Sequence, residues 1–468
     1  MENNYVFLLY VFVWLIFILR IIYVSIFQPH KSIRYLLLSC YIVSSAFLLG
    51  KEIYGPFEDG HILGSLGRAY IIGGLQIIPM LLLMITRTKT EISQNYIQKK
   101  TPVILLLILL GISVFNPYNL MPQATYIAIF YILSFILFGY IIFRTMEYEE
   151  IINGLWDGLC ILAVIELFLA ILFPVLDVTL IPNIFNSPIF DDGLRRRASG
   201  TFIHPNLFAS IMSYIVSFFF ACYLCDYKKK KALLFTIIAF CALLLTLSRS
   251  AIIAAMVILC LLFFISKYPH IKLISAKTIF QFILPSFILI IGIILFTPLR
   301  DYFIGANADA MLDARQAHNL YYLTLMPNHP IIGVGLNTHI EYFNQFYMGI
   351  EFEGLSLDFA STNPVHNIYV LLMMEVGIIG LIIFFILMFR NISASKKMLS
   401  INPNLEDNIL PLTSIACIIA VFVHGMSDYT VLSIQNMMFW VPICLIANFI
   451  NQGNLNSLST EMNDVEDE

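Results

Sequence analysis

The fold class is decided by runs such as PVHNIYVLLMMEVGIIGLIIFFILMF, residues 364–389, which contain no Asp, Lys or Arg and a single Glu, Glu375. A bilayer core requires about 20 consecutive, mostly apolar residues per helix, and this run is long enough. Comparable runs recur along the chain. They predict about twelve to fourteen transmembrane helices, at approximately 5–27, 35–50, 69–86, 101–116, 124–143, 154–175, 206–224, 232–247, 250–266, 279–297, 364–389, 410–426 and 430–450.

The overall composition indicates the same class. Of the 468 residues, 59% are hydrophobic and 12% are charged, whereas about 25% are charged in typical soluble domains. This composition excludes disordered, collagen-like, coiled-coil and nucleic-acid-binding proteins. The eight cysteines lie within or at the ends of apolar runs, where a free cysteine behaves as a small hydrophobic residue. We therefore expect an all-α integral membrane protein with one large extracytoplasmic loop that contains short helices.

The basic residues predict the orientation of the helices. One set of alternate loops contains seventeen lysines and arginines and the other set contains eight. Because basic residues accumulate in cytoplasmic loops, the first set is expected inside and the N-terminus outside. We expect the first helix to be retained, since no cationic segment precedes it. The predicted organisation is helices 1–10 within 1–297, an extracytoplasmic cap over 298–363, helices 11–13 within 364–450, and a cytoplasmic acidic tail at 451–468.

The outward loops contain arginine in preference to lysine. Seven of their eight basic residues are arginines, including the run at 195–197. A guanidinium group presents a fixed fork of donors that suits phosphate or carboxylate. The outward face is therefore predicted to bind an anion, with Arg197 as a candidate. Surface solvation and contact with lipid headgroups are the alternative roles for this run.

Two outward segments place polar residues where a helix enters the membrane. His204 stands at a capping position before Pro205, which suits the first helical residue, and Asn206 follows it. Arg249 lies in a short turn where Ser248 or Ser250 can cap the next helix. Helix N-termini attract phosphate, and a cation near the membrane is costly without a partner. His204 is expected to cap its helix or to take part in catalysis.

A third segment contains His366. Asn363 is predicted to cap a helix whose first residue is Pro364, which places His366 in the first turn beside Asn367. The positive end of the helix dipole disfavours imidazolium, so the ring is expected to be neutral and able to accept a proton. Glu375 is about 180° around the same helix from His366, and we expect it to bind another element instead.

His424 and Asp428 have the i, i+4 spacing of neighbours on a helix. They are predicted to form a hydrogen-bonded pair that orients a ligand, or to be two separately satisfied polar groups at a helix end. His204, His366 and His424 are expected at the same level of the bilayer, where three histidines on separate helices can hold zinc. The sequence contains no tight ligand spacing such as HExxH, so we predict neither a metal nor another cofactor.

The longest outward loop, 298–363, is predicted to fold as a small cap on the membrane. Loops of more than about 15 residues are usually functional or disordered. This loop contains apolar anchors together with turn residues, and its segment 308–325 is predicted to form a helix that contains Arg315. The cap therefore adds a further arginine to the outward face.

Four segments resemble one known family. They are GTFIHPN at 200–206, LTLSRS at 245–250, NHPIIGVG at 328–335 and HNIYVLLMMEVGIIG at 366–380. They are similar to the O-antigen ligase and polymerase superfamily of bacterial integral-membrane glycosyltransferases, and the last segment is the most specific. The first 150 residues match that family only as generic hydrophobic spans.

The resemblance implies an enzyme that uses an undecaprenyl-diphosphate-linked sugar on the outer face of the cytoplasmic membrane. By position, Arg249, Arg315 and His366 match the family's functional arginines and histidine. The family commonly has a tryptophan shortly after the loop arginine, whereas Tyr321 and Tyr322 are the nearest aromatic residues after Arg315 here. The residues fit this chemistry: arginines can stabilise charge on the leaving diphosphate, and His366 can accept the proton of the attacking hydroxyl.

Several functions remain open at this level. We favour a polymerase of lipid-linked oligosaccharide repeat units, with a glycan acceptor and a chain-length regulator as partners, over a ligase that transfers the glycan to a lipid or protein. A flippase for the same lipid-linked sugar is a further alternative, although no sequence repeat of the kind common in transporters is visible. A cell-wall polymerase would need an acidic residue in the external loop, and the candidates are Asp301, Asp309, Asp313, Glu341, Glu351, Glu353 and Asp358.

Overall fold

The computed structural model describes residues 3–28, 32–46, 74–85, 100–172, 197–202, 204–267, 306–325, 328–346, 364–401 and 404–466. All regular secondary structure in these ranges is helical, which confirms the predicted all-α class. The helices, numbered along the described residues, are α1 Asn3–Phe27, α2 Arg34–Ala46, α3 Gly74–Ile85, α4 Lys100–Val114, α5 Pro122–Thr145, α6 Tyr148–Leu172, α7 Pro205–Leu224, α8 Lys229–Leu245, α9 Arg249–Lys267, α10 Ala306–Leu325, α11 His339–Phe346, α12 Ile368–Ile401, α13 Ile409–Gly425 and α14 Ile434–Glu466.

Six helical segments in the described ranges are long and apolar enough to cross a membrane. They are α5, α6, α7, α9, α12 and the segment Glu406–Gly425 that contains α13. These segments confirm a multi-pass membrane protein. The predicted span at 279–297 lies outside the described residues, so the count of twelve to fourteen stays a prediction. The eight cysteines are free, as expected.

Helices α7 and α13 form the centre of the bundle. In each of these two spans 83% of the most apolar window is buried, against 39–50% in the other four spans. Helix α7 packs against α8, α9 and α13, and α13 also packs against α12 and α14. Since lipid surrounds such a bundle, the outer helices can expose apolar side chains on the face that does not pack. The central pair therefore holds the ends of its neighbours in fixed positions.

Helix α12 is broken at Gly377, whose φ is +66° and ψ is −173°. The segment 330–335 occupies the break and forms backbone hydrogen bonds with both halves of the helix. On one side Val334 N and Gly335 N donate to the carbonyls of Met374 and Glu375, at 2.9 and 2.8 Å. On the other side the carbonyls of Pro330 and Ile331 accept from Ile378 N and Ile379 N, at 2.9 and 3.3 Å. These bonds satisfy backbone N–H and C=O groups at the break, for which lipid offers no hydrogen-bond partner.

The structure corrects the predicted start of α12. The helix begins at Ile368, so Pro364 is not its first residue and His366 is not in its first turn. The capping residue is Asn367, whose Oδ1 accepts from Tyr369 N at 2.9 Å and from Val370 N at 3.2 Å. Asn363 lies outside the described residues. At the other end of the chain, α14 continues through most of the predicted tail, as far as Glu466.

Candidate active site

The candidate site lies at one end of the bundle, where α7, α9 and α12 begin and α8 and α13 end. The short segment 197–202 contacts the turn between α8 and α9. Ala198 N donates to the carbonyl of Leu245 at 2.9 Å, and Arg197 Nε donates to the carbonyl of Thr246 at 2.9 Å. Arg197 Nη2 also donates to Asn206 Oδ1 at 2.6 Å. This arginine therefore joins the start of α7 to the turn between α8 and α9.

A buried carboxylate that the sequence reasoning missed anchors the same segment. Glu166 of α6 is fully buried and accepts from Thr201 Oγ1 at 2.5 Å and from Thr201 N at 3.0 Å. Gly200 has a φ of +56°, and a Cβ there would collide with the Glu166 carboxylate. The available signal was an acidic residue inside an apolar span, which indicates a specific partner.

His204 caps α7, as one of its two predicted roles required. Its Nδ1 accepts from Asn206 N at 3.1 Å, so the proton of the neutral ring is on Nε2. Burial lowers the pKa of His204 to about 4. The ring is therefore neutral at physiological pH, and its position is fixed by the backbone of the helix that it caps.

Asp428, in the turn after α13, is the anion at the centre of the site. Its side chain accepts from Asn206 Nδ2 and from Thr430 N, the second at 2.8 Å. Burial by itself raises the pKa of the Asp428 carboxyl, but the nearby His424, Arg315 and His366 outweigh burial and hold it below its usual value. Asp428 is therefore ionised and supplies a negative charge beside these groups.

Arg315 reaches this cluster from helix α10. Its Nη1 donates to the carbonyl of Ser427 at 3.1 Å, directly beside Asp428. Helix α10 was predicted over 308–325, and the structure has it at Ala306–Leu325. The loop arginine and the turn after α13 are therefore close enough to act on one substrate group.

His424 does not form the predicted hydrogen bond with Asp428. Its Nδ1 lies 2.8 Å from Ser210 Oγ, and the Ser210 hydroxyl donates to the carbonyl of Asn206 at 3.0 Å. His424 Nδ1 is therefore the donor to Ser210. Nε2 of His424 has no hydrogen-bond partner in the described part of the chain. The two residues are bound separately to α7, which was the alternative expectation.

His366 lies just before α12, between rings from two other elements. Its ring centroid is 6.0 Å from that of His318 on α10 and 5.3 Å from that of Tyr429. Burial lowers the pKa of His366 to about 4; Asp428 opposes this shift and Arg315 adds to it. The ring is neutral, as expected, but burial rather than a place in the first helical turn is the main reason.

Asn367 fixes the neighbourhood of His366. While its Oδ1 caps α12, its Nδ2 donates to the carbonyl of Met426 at 3.0 Å, near the end of α13.

Glu375 binds His339, with Oε1 2.8 Å from Nδ1, and both side chains are fully buried. The expectation that Glu375 would bind another element is confirmed.

Arg249 is the first residue of α9 and is half-buried. Because Arg197 bonds both to Thr246 and to Asn206, the turn before Arg249 lies at the same end of the bundle as His204 and His366. Arg195 and Arg196 lie outside the described residues. Within the described ranges, no three histidine, cysteine or acidic side chains are grouped so as to hold a metal ion.

Comparison with known families agrees with the resemblance at three of the four segments, those at 245–250, 328–335 and 366–380, whereas the segment at 200–206 lies outside the match. Residues 234–385 match the family described as O-antigen ligase. This region contains Arg249, Arg315 and His366, whereas Arg197, His204, Asn206, His424 and Asp428 lie outside it. No protein of curated function matches the chain. The match supports a membrane glycosyltransferase of the O-antigen ligase and polymerase type, which transfers a lipid-linked glycan to an acceptor in polysaccharide biosynthesis.

Proposed function

We propose that this protein polymerises undecaprenyl-diphosphate-linked oligosaccharide repeat units into a surface polysaccharide of the O-antigen or capsule type. The reaction takes place on the outer face of the cytoplasmic membrane and inverts the anomeric centre without a metal ion. The observation that carries the proposal is the convergence of Arg315, Asp428, His366 and His204 at one end of the bundle, where Arg249 also lies.

Arg249 and Arg315 stabilise the leaving diphosphate. As the bond between the sugar and the diphosphate breaks, negative charge grows on the bridging oxygen, and fixed guanidinium donors stabilise that charge. The Ser427 carbonyl accepts from Arg315 at 3.1 Å and fixes this arginine beside Asp428. Arg315 and Arg249 therefore supply the positive charge that stabilises the diphosphate.

His366 accepts the proton of the attacking hydroxyl. In the free protein its pKa of about 4 keeps the ring unprotonated, but a group with so low a pKa is a weak base. A bound diphosphate places negative charge beside the ring and raises its pKa. The base therefore becomes stronger when the donor is bound, and the hydroxyl oxygen attacks the anomeric carbon from the face opposite the diphosphate.

The remaining candidate residues hold and shape the substrate site. Arg197, Asn206 and Asn367 already form hydrogen bonds within the protein, so they act on the substrate by fixing the backbone that surrounds it. His424 Nε2 is an acceptor without a partner among the described residues, so it complements a hydroxyl group of a sugar. His204 contributes to the substrate site by capping α7 and fixing the start of that helix.

The test is a reconstitution of the purified protein with an undecaprenyl-diphosphate-linked oligosaccharide. We expect longer lipid-linked products with inverted new linkages, which NMR of the product would identify. His366→Ala should abolish them while leaving membrane insertion and the elution volume of the purified protein unchanged. His366→Gln is the matched variant, because it retains polarity but cannot accept a proton, and it should be equally inactive. An unchanged product ladder in either variant contradicts the role of His366 as the base.

A ligase is the second candidate, because the matching family is described as O-antigen ligase. The same reconstitution separates the candidates when a lipid acceptor is added. Transfer to that acceptor without lengthening assigns a ligase.

A flippase is a further candidate. The break in α12 is a feature common in transporters, although here the segment 330–335 closes it with backbone hydrogen bonds. Movement of the donor across the bilayer without any transfer assigns a flippase.

A further inference from the structure

One cavity in the described structure is lined by none of the candidate active-site residues. It has a volume of about 530 Å³ and lies between helices α4, α5, α12 and α14. Its walls are mainly apolar, and Trp440 of α14 is among them. Apolar cavities of several hundred Å³ with a few convergent polar groups are typical ligand sites. We call this cavity the α12 groove.

The groove follows α12 for most of its length. Residues that line it recur on one face of the helix from Val376 to Lys397. At 1.5 Å per residue the whole interval corresponds to about 30 Å, and its apolar part, residues 376–389, to about 20 Å. The apolar part is therefore long enough for an acyl chain of one leaflet, which spans about 15 Å, or half of the hydrocarbon core. The shape therefore suits an extended hydrocarbon chain that lies along the bilayer normal.

The charges along the groove are arranged asymmetrically. Glu375 is the acidic residue near the end that is closer to His366, and it is already bonded to His339 at 2.8 Å. Arg390 and Lys397 line the opposite end. They are seven residues apart, so they lie on one face of the helix about 10 Å from each other. Neither forms an ion pair or a side-chain hydrogen bond with the described residues.

This distribution of charge along the groove indicates which kind of molecule the groove binds. Two basic groups at the end of an apolar channel match a lipid whose anionic headgroup lies at that end and whose chain extends toward Glu375. The glycan donor has the opposite requirement, because its diphosphate must reach Arg315 and His366 at the other end of α12. The donor would therefore leave Arg390 and Lys397 without an anion.

We propose that the α12 groove binds one anionic glycerophospholipid from the leaflet opposite the candidate active site, with its phosphate between Arg390 and Lys397. The site is independent of the transfer reaction, so it stands or falls separately from the proposed polymerase activity.

Lipid binding in the groove can be measured by the quenching of Trp440 fluorescence. The chain contains three tryptophans, and a background with Trp14→Phe and Trp156→Phe leaves Trp440 as the single tryptophan, which excitation at a wavelength that tyrosine does not absorb selects. The full-length protein is reconstituted into phosphatidylcholine vesicles that contain increasing fractions of phosphatidylglycerol brominated in the middle of its acyl chain. We expect saturable quenching of Trp440 at low fractions of this lipid. Phosphatidylcholine with the same brominated chain should quench only in proportion to its abundance.

The charge variant is Arg390→Gln combined with Lys397→Gln. A basic side chain beside an anionic lipid surface contributes about 1 kcal/mol, so loss of both should weaken phosphatidylglycerol binding about thirtyfold. Lys230→Gln combined with Lys231→Gln removes the same charge from exposed positions on α8, outside the groove. This control should retain the affinity of the background protein.

A second variant tests the groove itself. Ala394→Phe keeps both cations and fills the channel near them, and it should also prevent the quenching. Equal quenching by the two brominated lipids, or equal effects of the charge variant and its control, would mean annular lipid only and would overturn the proposal. Unchanged quenching in Ala394→Phe would place the lipid outside the groove. Displacement by undecaprenyl phosphate in preference to phosphatidylglycerol would assign the groove to the isoprenoid carrier instead.

Discussion

The protonation state of His366 depends on burial and on two charged neighbours. Apolar burial disfavours the imidazolium, Arg315 adds to that effect, and Asp428 opposes it. The net result is a ring with a pKa of about 4, which is able to accept a proton but not to hold one tightly. Because the proposed donor is a diphosphate, we expect its binding to add negative charge beside this residue.

The dependence of activity on pH should reveal that change. The value of kcat/KM reports the free protein, so we expect it to fall on acidification with a midpoint near pH 4, where His366 becomes protonated. The value of kcat reports the bound complex, in which the diphosphate raises the pKa, so its acid limb should lie at higher pH. Identical acid limbs for both parameters would contradict an effect of the diphosphate on His366.

Acid can also reduce activity by unfolding the protein, and this effect must be separated from the titration of His366. Burial holds the pKa of His204 and His366 at about 4 and that of His318 at about 3, all below the usual value of 6.5. The unfolded chain therefore binds more protons below about pH 6.5, and the stability of the folded protein decreases as pH falls from there. Samples returned to neutral pH should recover full activity if only the titration of His366 was observed.

At the scale of an element, the break in α12 depends on one glycine. Gly377 adopts a positive φ, and a Cβ there would collide with the carbonyl of Ile331. Gly377→Ala should destabilise the protein by about 1–3 kcal/mol, the usual cost of a side chain in such a backbone conformation. A thermal shift in detergent should therefore show a lower Tm.

Gly111→Ala is the matched control, because a Cβ at this position of α4 would meet no described atom within 4 Å apart from its chain neighbours and the backbone of its own helix. Alanine favours helix over glycine by about 1 kcal/mol, so the Tm should stay the same or rise. Equal effects of the two substitutions would mean that the break does not depend on Gly377.

Asn367 joins α12 to α13 through two separable contacts, a helix cap and a bond to the Met426 carbonyl. Asn367→Ser should retain the cap, since serine is a good N-cap residue, and lose the bond to Met426. We expect a nearly unchanged Tm and a lower kcat, because His366 is the preceding residue. Asn367→Ala should in addition lose about 1 kcal/mol of stability. Full activity of the serine variant would assign Asn367 to capping alone.

At the scale of the whole molecule, the bundle separates two ends of different chemistry. Lys229–Lys231 and Lys397 lie at one end and the arginine–histidine cluster lies at the other. We predict that a membrane-impermeant maleimide labels Lys230→Cys only after the cytoplasmic face is exposed, and labels Phe115→Cys from outside intact cells. Both positions are exposed, and variants without a new cysteine measure the background. The reverse pattern of labelling would place the candidate site inside the cell.

Apolar patterning was sufficient to predict the class of protein and the approximate bounds of the described spans. Apolar runs of bilayer length leave helices as the only way to satisfy the backbone in lipid, and that condition is readable residue by residue. The cap by His204 was predicted for the same local reason, since capping depends on neighbours in the chain.

Which polar side chains lie in contact could be read only from the tertiary structure. The cap at Asn367, the separate partners of His424 and Asp428 and the anchor at Glu166 all depend on contacts between distant parts of the chain. The break at Gly377 depends in the same way on segment 330–335, which supplies the backbone groups that the interrupted helix lacks. Periodicity describes which face a residue occupies on its own helix, but it contains no information about which other element covers that face.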